Sequence, residues 1–234
     1  SGGFCAQVVA NEMAVLPKPS ALSFEAAAGI SITYLTSYHA LVQRAQIQPG
    51  ETLLVLGAAG GVGSTAIELG KALGAKVIAA ASSDDKLALC QELGADHTIN
   101  YSTESLKDRV KELTGGKGVD VVYDPVGGDF SEPAVRSMGW NGRYLVIGFA
   151  SGPIPSIPLN LTLLKGCAIV GVFWGRFTME EPDTHQANIK TLWQWFEEGK
   201  IKPVITDLFP IEEYEAAYAA MMERRAKGKV ILTL

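Results

Sequence analysis

The stretch that most constrains this chain is an unbroken apolar run, Thr52-Leu53-Leu54-Val55-Leu56. It passes directly into Gly57-Ala58-Ala59-Gly60-Gly61-Val62-Gly63 and then into a helix-spaced segment, Ser64 to Leu73. Such a run reads as a strand covered on both faces. A strand that gives way to glycines and then to a helix must turn sharply and set the helix start beside the sheet. Gly57 or Gly60 permits the turn, Gly60 and Gly61 leave the backbone bare to a pyrophosphate, and Gly63 lets the helix approach the sheet. The amides of the first helical turn then face an anion, aided by the positive end of the helix. No Gly-Lys-Ser/Thr follows, which excludes the phosphate loop of nucleoside triphosphatases.

The pattern then repeats. Gly74 ends the first helix, Lys76 to Ala80 reads as a strand and Asp84 to Leu93 as a helix, and Leu93-Gly94-Ala95 repeats the stop at Leu73-Gly74-Ala75. His97 to Ile99, Val119 to Tyr123, Arg143 to Ile147 and Ala168 to Phe173 read as further strands; Leu106 to Leu113 and Glu132 to Met138 read as helices. Strands separated by helices predict an α/β fold with a doubly wound parallel Rossmann sheet. Helices over Asn188 to Glu198 and Ile211 to Glu223 and a strand over Val230 to Leu234 close the chain. Ahead of the sheet lie a strand-like stretch (Phe4 to Val9), an extended linker (Leu16-Pro17-Lys18-Pro19-Ser20), a helix at Phe24 to Ala28 capped by Ser23, and helical spacing from Tyr34 to Ala45. The opening Ser1-Gly2-Gly3-Phe4 reads as mid-strand, so the chain is expected to be a piece of a longer one.

Composition removes several function classes. With 20 Lys and Arg against 25 Asp and Glu the net charge is −5, and no basic block occurs, which argues against nucleic acid or an anionic membrane as partner. No apolar run approaches the ~18 residues of a membrane span. Cys5, Cys90 and Cys167 are scattered and odd in number, so a reduced, cytoplasmic protein without a disulfide framework is expected. His39, His97 and His185 have no partner at ligand spacing, so no metal is expected, and His39 reads as a packed core residue. Neither a Gly-x-Ser-x-Gly elbow nor a Tyr-x-x-x-Lys pair is present. Asp124 ends a strand beside the expected cleft; its place before Pro125 and Gly127-Gly128 favours a turn over a catalytic role.

The end of the second strand bears on the choice of dinucleotide. In Ala81-Ser82-Ser83-Asp84-Asp85-Lys86 the serines come first, Asp84 and Asp85 fit the first helical turn, and Lys86 can reach back. Serine and a cation suit the 2′-phosphate of NADP; an inward Asp84 would reverse that preference.

The runs Tyr34-Leu35-Thr36-Ser37-Tyr38-His39-Ala40-Leu41, Gln48-Pro49-Gly50-Glu51-Thr52 and the glycine loop resemble the zinc-free branch of the medium-chain dehydrogenase/reductases. Within it the likeness is to NADPH:quinone oxidoreductases and quinone-oxidoreductase-like proteins, relatives of zeta-crystallin. Asp120-Val121-Val122-Tyr123-Asp124-Pro125-Val126-Gly127-Gly128, Leu145 to Gly152, Gly171-Val172-Phe173-Trp174-Gly175 and Gly228-Lys229-Val230-Ile231-Leu232 agree with it, in order. The resemblance implies NADPH as cofactor, with Ala59, Gly60, Gly61, Val62 and Gly63 around the pyrophosphate. Ser82, Lys86, Tyr101 and Arg224 (or Arg225) would surround the 2′-phosphate. Ile147, Gly148, Phe149 and Ala150 would line the nicotinamide ribose, the Val172, Phe173 and Trp174 backbone would bond the carboxamide, and Thr36 would stand at the mouth of the cleft. It further implies remnants of a GroES-like catalytic domain at both chain ends: its tail and linking helices at 1–45, the Rossmann domain at 46–175 and a closing and return segment at 176–234. Hydride transfer to a small quinone or conjugated carbonyl follows, with no general acid identified in this chain. An enoyl or alkenal reductase and a nucleotide-binding module without turnover are the alternatives. A homodimer through the Ala168–Phe173 edge strand is also implied.

Overall fold

The computed structural model describes residues 4–12, 15–223 and 225–234. Two short helices, α1 (Phe24–Ala28) and α2 (Ser31–Tyr38), lead in, and α2 runs straight into a π-helical segment, His39–Arg44. Ser23 caps α1 as anticipated, its side chain accepting from the Ala26 amide. The sheet region follows as β1 (Thr52–Leu56), α3 (Gly61–Ala72), β2 (Lys76–Ala81), α4 (Asp84–Glu92), β3 (His97–Asn100), α5 (Leu106–Leu113), β4 (Val119–Asp124), α6 (Ser131–Arg136), β5 (Met138–Val146), α7 (Asn160–Lys165) and β6 (Ala168–Gly171). The chain closes with α8 (Trp174–Glu180), α9 (Pro182–Glu197), β7 (Ile205–Pro210), α10 (Tyr214–Met222) and β8 (Lys229–Thr233).

The six strands β1 to β6 form one sheet in the order β3-β2-β1-β4-β5-β6, and every neighbouring pair is parallel. This is the doubly wound Rossmann topology expected from the alternation. The apolar run of β1 serves both faces: Leu53 and Val55 pack with α2, α3 and α9, and Leu54 and Leu56 with α5 and α6. β7 and β8 make a separate parallel pair.

Several local readings need correction. Phe4 to Val9 is exposed bend and coil rather than strand, because among the described residues no neighbouring strand pairs with it. The Glu132 to Met138 helix stops at Arg136, and Met138 already opens a nine-residue β5 that carries Asn141 at φ 60°. β6 ends at Gly171, so Phe173 lies outside it and Trp174 begins α8. α7, α8 and β7 were not anticipated. α9 starts at Pro182, where a proline at the first helical position leaves no broken bond. The Ile211 to Glu223 helix begins as a 3₁₀ turn and becomes α10 only at Tyr214.

The return strand β8 is fastened by a buried polar cluster. Lys229 is 6% exposed; among the described residues its Nζ has no hydrogen-bond partner, and it sits 4.9 Å over the Tyr34 ring. The Tyr34 hydroxyl donates to the Glu68 carboxylate, whose other oxygen accepts from the Lys202 amide at 3.0 Å. Burial pushes the Lys229 ammonium down to about 8 from 10.5, against the pull of Glu68, and burial pushes Glu68 up. Below pH 8 Lys229 is charged in both folded and unfolded chains, and the folded one bears the desolvation penalty, about 3 kcal/mol. Between about 8 and 10.5 the unfolded chain binds more protons, so this contribution makes stability rise with pH. Urea denaturation of the native chain and of Lys229→Met at pH 7 and pH 10 tests this. Relative to the variant the native chain gains stability at the higher pH, on the order of 2 kcal/mol, and a difference unchanged between the two pH values would contradict the cluster's assigned state.

Candidate dinucleotide site

The C-terminal edge of the sheet is built around the junction of β1 and α3. Gly57 takes the turn at φ 56°, a region that L side chains rarely adopt, which decides between Gly57 and Gly60 as the turn residue. A Cβ on Gly63 would lie 2.4 Å from the Gly57 carbonyl oxygen, so close helix–sheet approach requires glycine there. A Cβ on Gly61 would meet only the Gly228 carbonyl oxygen and Thr33 Cγ2, both at 3.6 Å. Packing therefore tolerates a side chain at Gly61, and its bare backbone is left for a ligand. Gly60 precedes α3 at the N-cap position and offers no side-chain cap, which leaves the first-turn amides without a side-chain partner and the positive helix end behind them.

Three contacts hold this loop in shape. The Gly60 amide donates to the Gly57 carbonyl at 2.9 Å, Ala58 to Ala80 at 3.0 Å, and Gly228, just ahead of β8, to Ala59 at 2.7 Å. Beneath it, Ser37 Oγ lies 2.8 Å from Thr65 Oγ1 and 2.7 Å from the Tyr123 hydroxyl, locking α2, α3 and β4 together. Burial raises the Tyr123 hydroxyl far above its usual range, which keeps this cluster neutral.

A cleft of about 600 Å³ opens from the loop. Gly57, Ala59, Gly60, Ser82, Lys86, Tyr101 and Ala150 line it together, although they come from four separate stretches of chain. Lys86 Nζ donates to Ser82 Oγ at 3.3 Å. Asp84 opens α4, and its carboxylate accepts from Asn100 Nδ2 at 2.7 Å rather than lining the cleft. Phe130, Met221, Met222 and Ala226 also line it and were missed. Phe130 packs on Tyr101 with ring centroids 4.4 Å apart; its place just past the end of β4 is the one signal that could have found it. Arg224 lies outside the described residues. Arg225 is exposed, pairs with Glu223 at 2.6 Å and does not line the cleft.

At the end of β4, beside β1 in the middle of the sheet, Asp124 organises the turn. It is 2% exposed; Oδ1 accepts from the Val126 amide at 2.7 Å and the Gly127 amide at 2.9 Å, and Oδ2 from Ser131 Oγ at 3.0 Å and from the Tyr144 hydroxyl. All these bonds are internal, so Asp124 is the turn-former anticipated. Its backbone carbonyl accepts from the Ile147 and Gly148 amides, and Val146 accepts from Val172. Phe149 covers Gly127 and Ala150 faces the cleft, while Val62, Ile147 and Val172 are half-buried and Phe173 is 72% exposed. Thr36 is half-buried on α2, and Trp174 packs on the core at the start of α8. His39 is buried and stacked on Phe177, as a packed histidine should be.

Sheet order, bare helix start and glycine cradle define a Rossmann-type dinucleotide fold. The zinc-binding dehydrogenase family matches residues 61–198. A quinone oxidoreductase-like protein 2 homolog of Nematostella vectensis is 40% identical over 99% of this chain, and the chain spans 64% of that relative's length. A quinone oxidoreductase of Pseudomonas aeruginosa is 34% identical over 99% of this chain and 71% of its own. The solved quinone oxidoreductase of Thermus thermophilus, studied also as its NADPH complex, superposes with a TM-score of 0.87 at 35% identity, over 100% of this chain and 74% of that one. This chain belongs to the zinc-independent quinone oxidoreductase branch of the medium-chain dehydrogenase/reductases. Among the described residues no three His, Cys, Asp or Glu side chains come together as a metal site. Nor, among them, is any helix long and apolar enough to cross a membrane.

The two glycines should separate experimentally. Gly63→Ala is expected to lower stability by about 1–3 kcal/mol in urea denaturation, whereas Gly61→Ala should leave it within about 1 kcal/mol. Equal losses at both positions would contradict the assigned roles.

Proposed function

We propose that this chain holds NADPH along the C-terminal edge of the sheet and forms the cofactor-binding part of a reductase for quinones or related conjugated carbonyls. The observation that carries this reading is the single cleft shared by the uncapped start of α3 and the Ser82–Lys86–Tyr101 corner. The loop amides of residues 59–63 would hold the diphosphate, and Ser82 Oγ and Lys86 Nζ the 2′-phosphate. With Asp84 tied to Asn100, no carboxylate stands in that corner to prefer a 2′-hydroxyl. Ile147 to Ala150 and the Val172–Trp174 backbone would fix the nicotinamide, with Thr36 at its edge. A bound nicotinamide supplies the hydride; the protein contributes orientation and exclusion of water.

Titration with NADPH and NADH, followed by thermal denaturation, tests the cofactor assignment. NADPH should raise the melting temperature more than NADH at equal concentration. Lys86→Ala should weaken NADPH binding about tenfold while leaving NADH unchanged. Equal shifts from both cofactors would overturn the preference, and no shift from either would overturn the site. Cofactor binding without oxidation on adding a quinone would favour the module without turnover.

The edge strand β6 supports a homodimer. It ends the sheet, and Ile169 on it is 38% exposed beside the protruding Phe173. An open apolar edge is covered most simply by a second copy. Sedimentation should give a dimer that Ile169→Lys dissociates; a monomeric native chain would rule this interface out.

A further inference from the structure

The short segment that joins α2 to the sheet grips three elements that come much later in the chain. His39–Arg44 is a π-helix, and beside it the Ala45 amide donates to the Ala40 carbonyl at 2.8 Å, a span of five residues. In an α-helix Arg44 would stand about 140° around the axis from His39. A turn closed over five residues brings it nearly above His39 instead. The side chains of His39, Gln43 and Arg44 therefore share one face. Such widened turns are rare and are frequent at functional sites.

Each of the three meets a different element. The His39 ring stacks on Phe177 of α8, with centroids 3.9 Å apart and planes 20° apart. Gln43 and Asn188 of α9 exchange two amide hydrogen bonds, Nε2 to Oδ1 at 3.0 Å and Nδ2 to Oε1 at 3.1 Å. Arg44 Nε donates to the Gly171 carbonyl, at the end of β6, at 3.0 Å. That carbonyl belongs to the same planar peptide group as the Val172 amide, which donates to the Val146 carbonyl at 3.1 Å. The group is thus pinned from both sides. Val146 holds it from within the sheet, and Arg44 holds it on the edge where, among the described residues, β6 has no strand neighbour. A Cβ on Gly171 would meet nothing within 4 Å, so hydrogen bonds rather than packing orient this strand end. Val172 and Phe173 then bridge to α8, whose Phe177 amide donates to the Phe173 carbonyl at 3.0 Å and whose Phe177 ring lies on His39. Both ends of this bridge are held by the π-helical segment.

We propose that Arg44 is a positioning residue for the nicotinamide: by holding the Gly171–Val172 peptide group it aims the Val172–Trp174 backbone at the carboxamide. The proposal rests on the reading of that backbone given above and adds to it the side chain that sets its direction. Arg44 acts through Gly171 and takes no part in hydride transfer. A turn already fixed in its bound geometry spares the cofactor the cost of ordering it. Arg44 is exposed, and one exposed hydrogen bond adds little to global stability, so its loss should appear in binding rather than in unfolding.

Calorimetric titration compares NADPH with 2′-phospho-ADP-ribose, which keeps the diphosphate and the 2′-phosphate and lacks the nicotinamide. The native chain should bind NADPH more tightly. Arg44→Met keeps the side-chain stem and removes the donor. It should bind NADPH about fivefold more weakly than the native chain and 2′-phospho-ADP-ribose equally well. Arg44→Lys returns a donor and should recover most of the loss. In the native chain, the Arg44 Nε–H resonance should move on adding NADPH and stay in place with 2′-phospho-ADP-ribose, a reading that needs no variant to fold. Unchanged NADPH affinity in Arg44→Met, equal weakening toward both ligands, no recovery in Arg44→Lys, or a resonance indifferent to NADPH would each overturn the proposal. Failure of the carboxamide reading would look different: the native chain itself would bind the two ligands alike, and the role of Arg44 would fall with that reading.

Discussion

The contact on which the molecule depends is the approach of α3 to the end of β1, where Gly63 comes so near the Gly57 carbonyl that a single methyl group would collide with it. Because the helix starts that close, its first amides stand over the strand edge, where a ligand lying along that edge can reach them. The loop keeps this geometry through bonds to three partners distant in sequence. Ala80 holds it from β2, Gly228 from the approach to β8, and Ser37 on α2 by donating its hydroxyl to the Val62 carbonyl at 3.2 Å. The return segment thus belongs to the cradle although it is remote in sequence, and Met221, Met222 and Ala226 complete the wall of the cleft from the same segment.

Asp124 plays the corresponding part at the middle of the sheet. A carboxylate buried at the end of a central strand would be a candidate catalyst if a lone pair faced the cleft. Here its two oxygens accept four bonds, two from backbone amides and one from Ser131 within the turn and one from the Tyr144 hydroxyl on β5. Such saturation makes a rigid corner from which β5 departs, and it raises the Tyr144 hydroxyl, through burial first and the nearby carboxylate second. The corner positions the Ile147–Ala150 segment.

What could be read from the residues was whatever repeats or strains the backbone. The β1–glycine–α3 passage, the Leu-Gly-Ala stops and the alternation of strand and helix state the sheet almost completely, because parallel strands must be apolar throughout and must be joined by helices. Ser82 and Lys86 could be singled out at the end of the second strand, and Tyr101 only through the family resemblance; the structure brings the three onto one cleft. Phe4 to Val9 misled because apolar alternation makes a strand only where a partner edge exists. Lys229 escaped notice because a lysine in a terminal strand reads as surface, and only the packing of Tyr34 and Glu68 over it buries the charge.

The same topology explains how a chain of net charge −5 could hold the anionic ligand proposed for the cleft. Each crossover helix returns antiparallel to its strand, so helix starts gather at the edge where the strands end, and helix ends gather at the opposite edge. The starts carry unpaired amides and positive dipole ends. At the far edge α3, α5, α6 and α7 each place a cation in the last turn, Lys71, Lys111, Arg136 and Lys165. Three of these cations surround one small cavity there, where the ends of α5, α6 and α7 converge. That basic cluster neutralises helix termini and is spent locally, with Arg136 further paired to Glu132 and Lys165 bonded to the Met138 carbonyl. The positive potential available to a phosphorylated ligand is therefore that of the first turn of α3, reinforced by Lys86, and it is aimed by the backbone rather than by net charge.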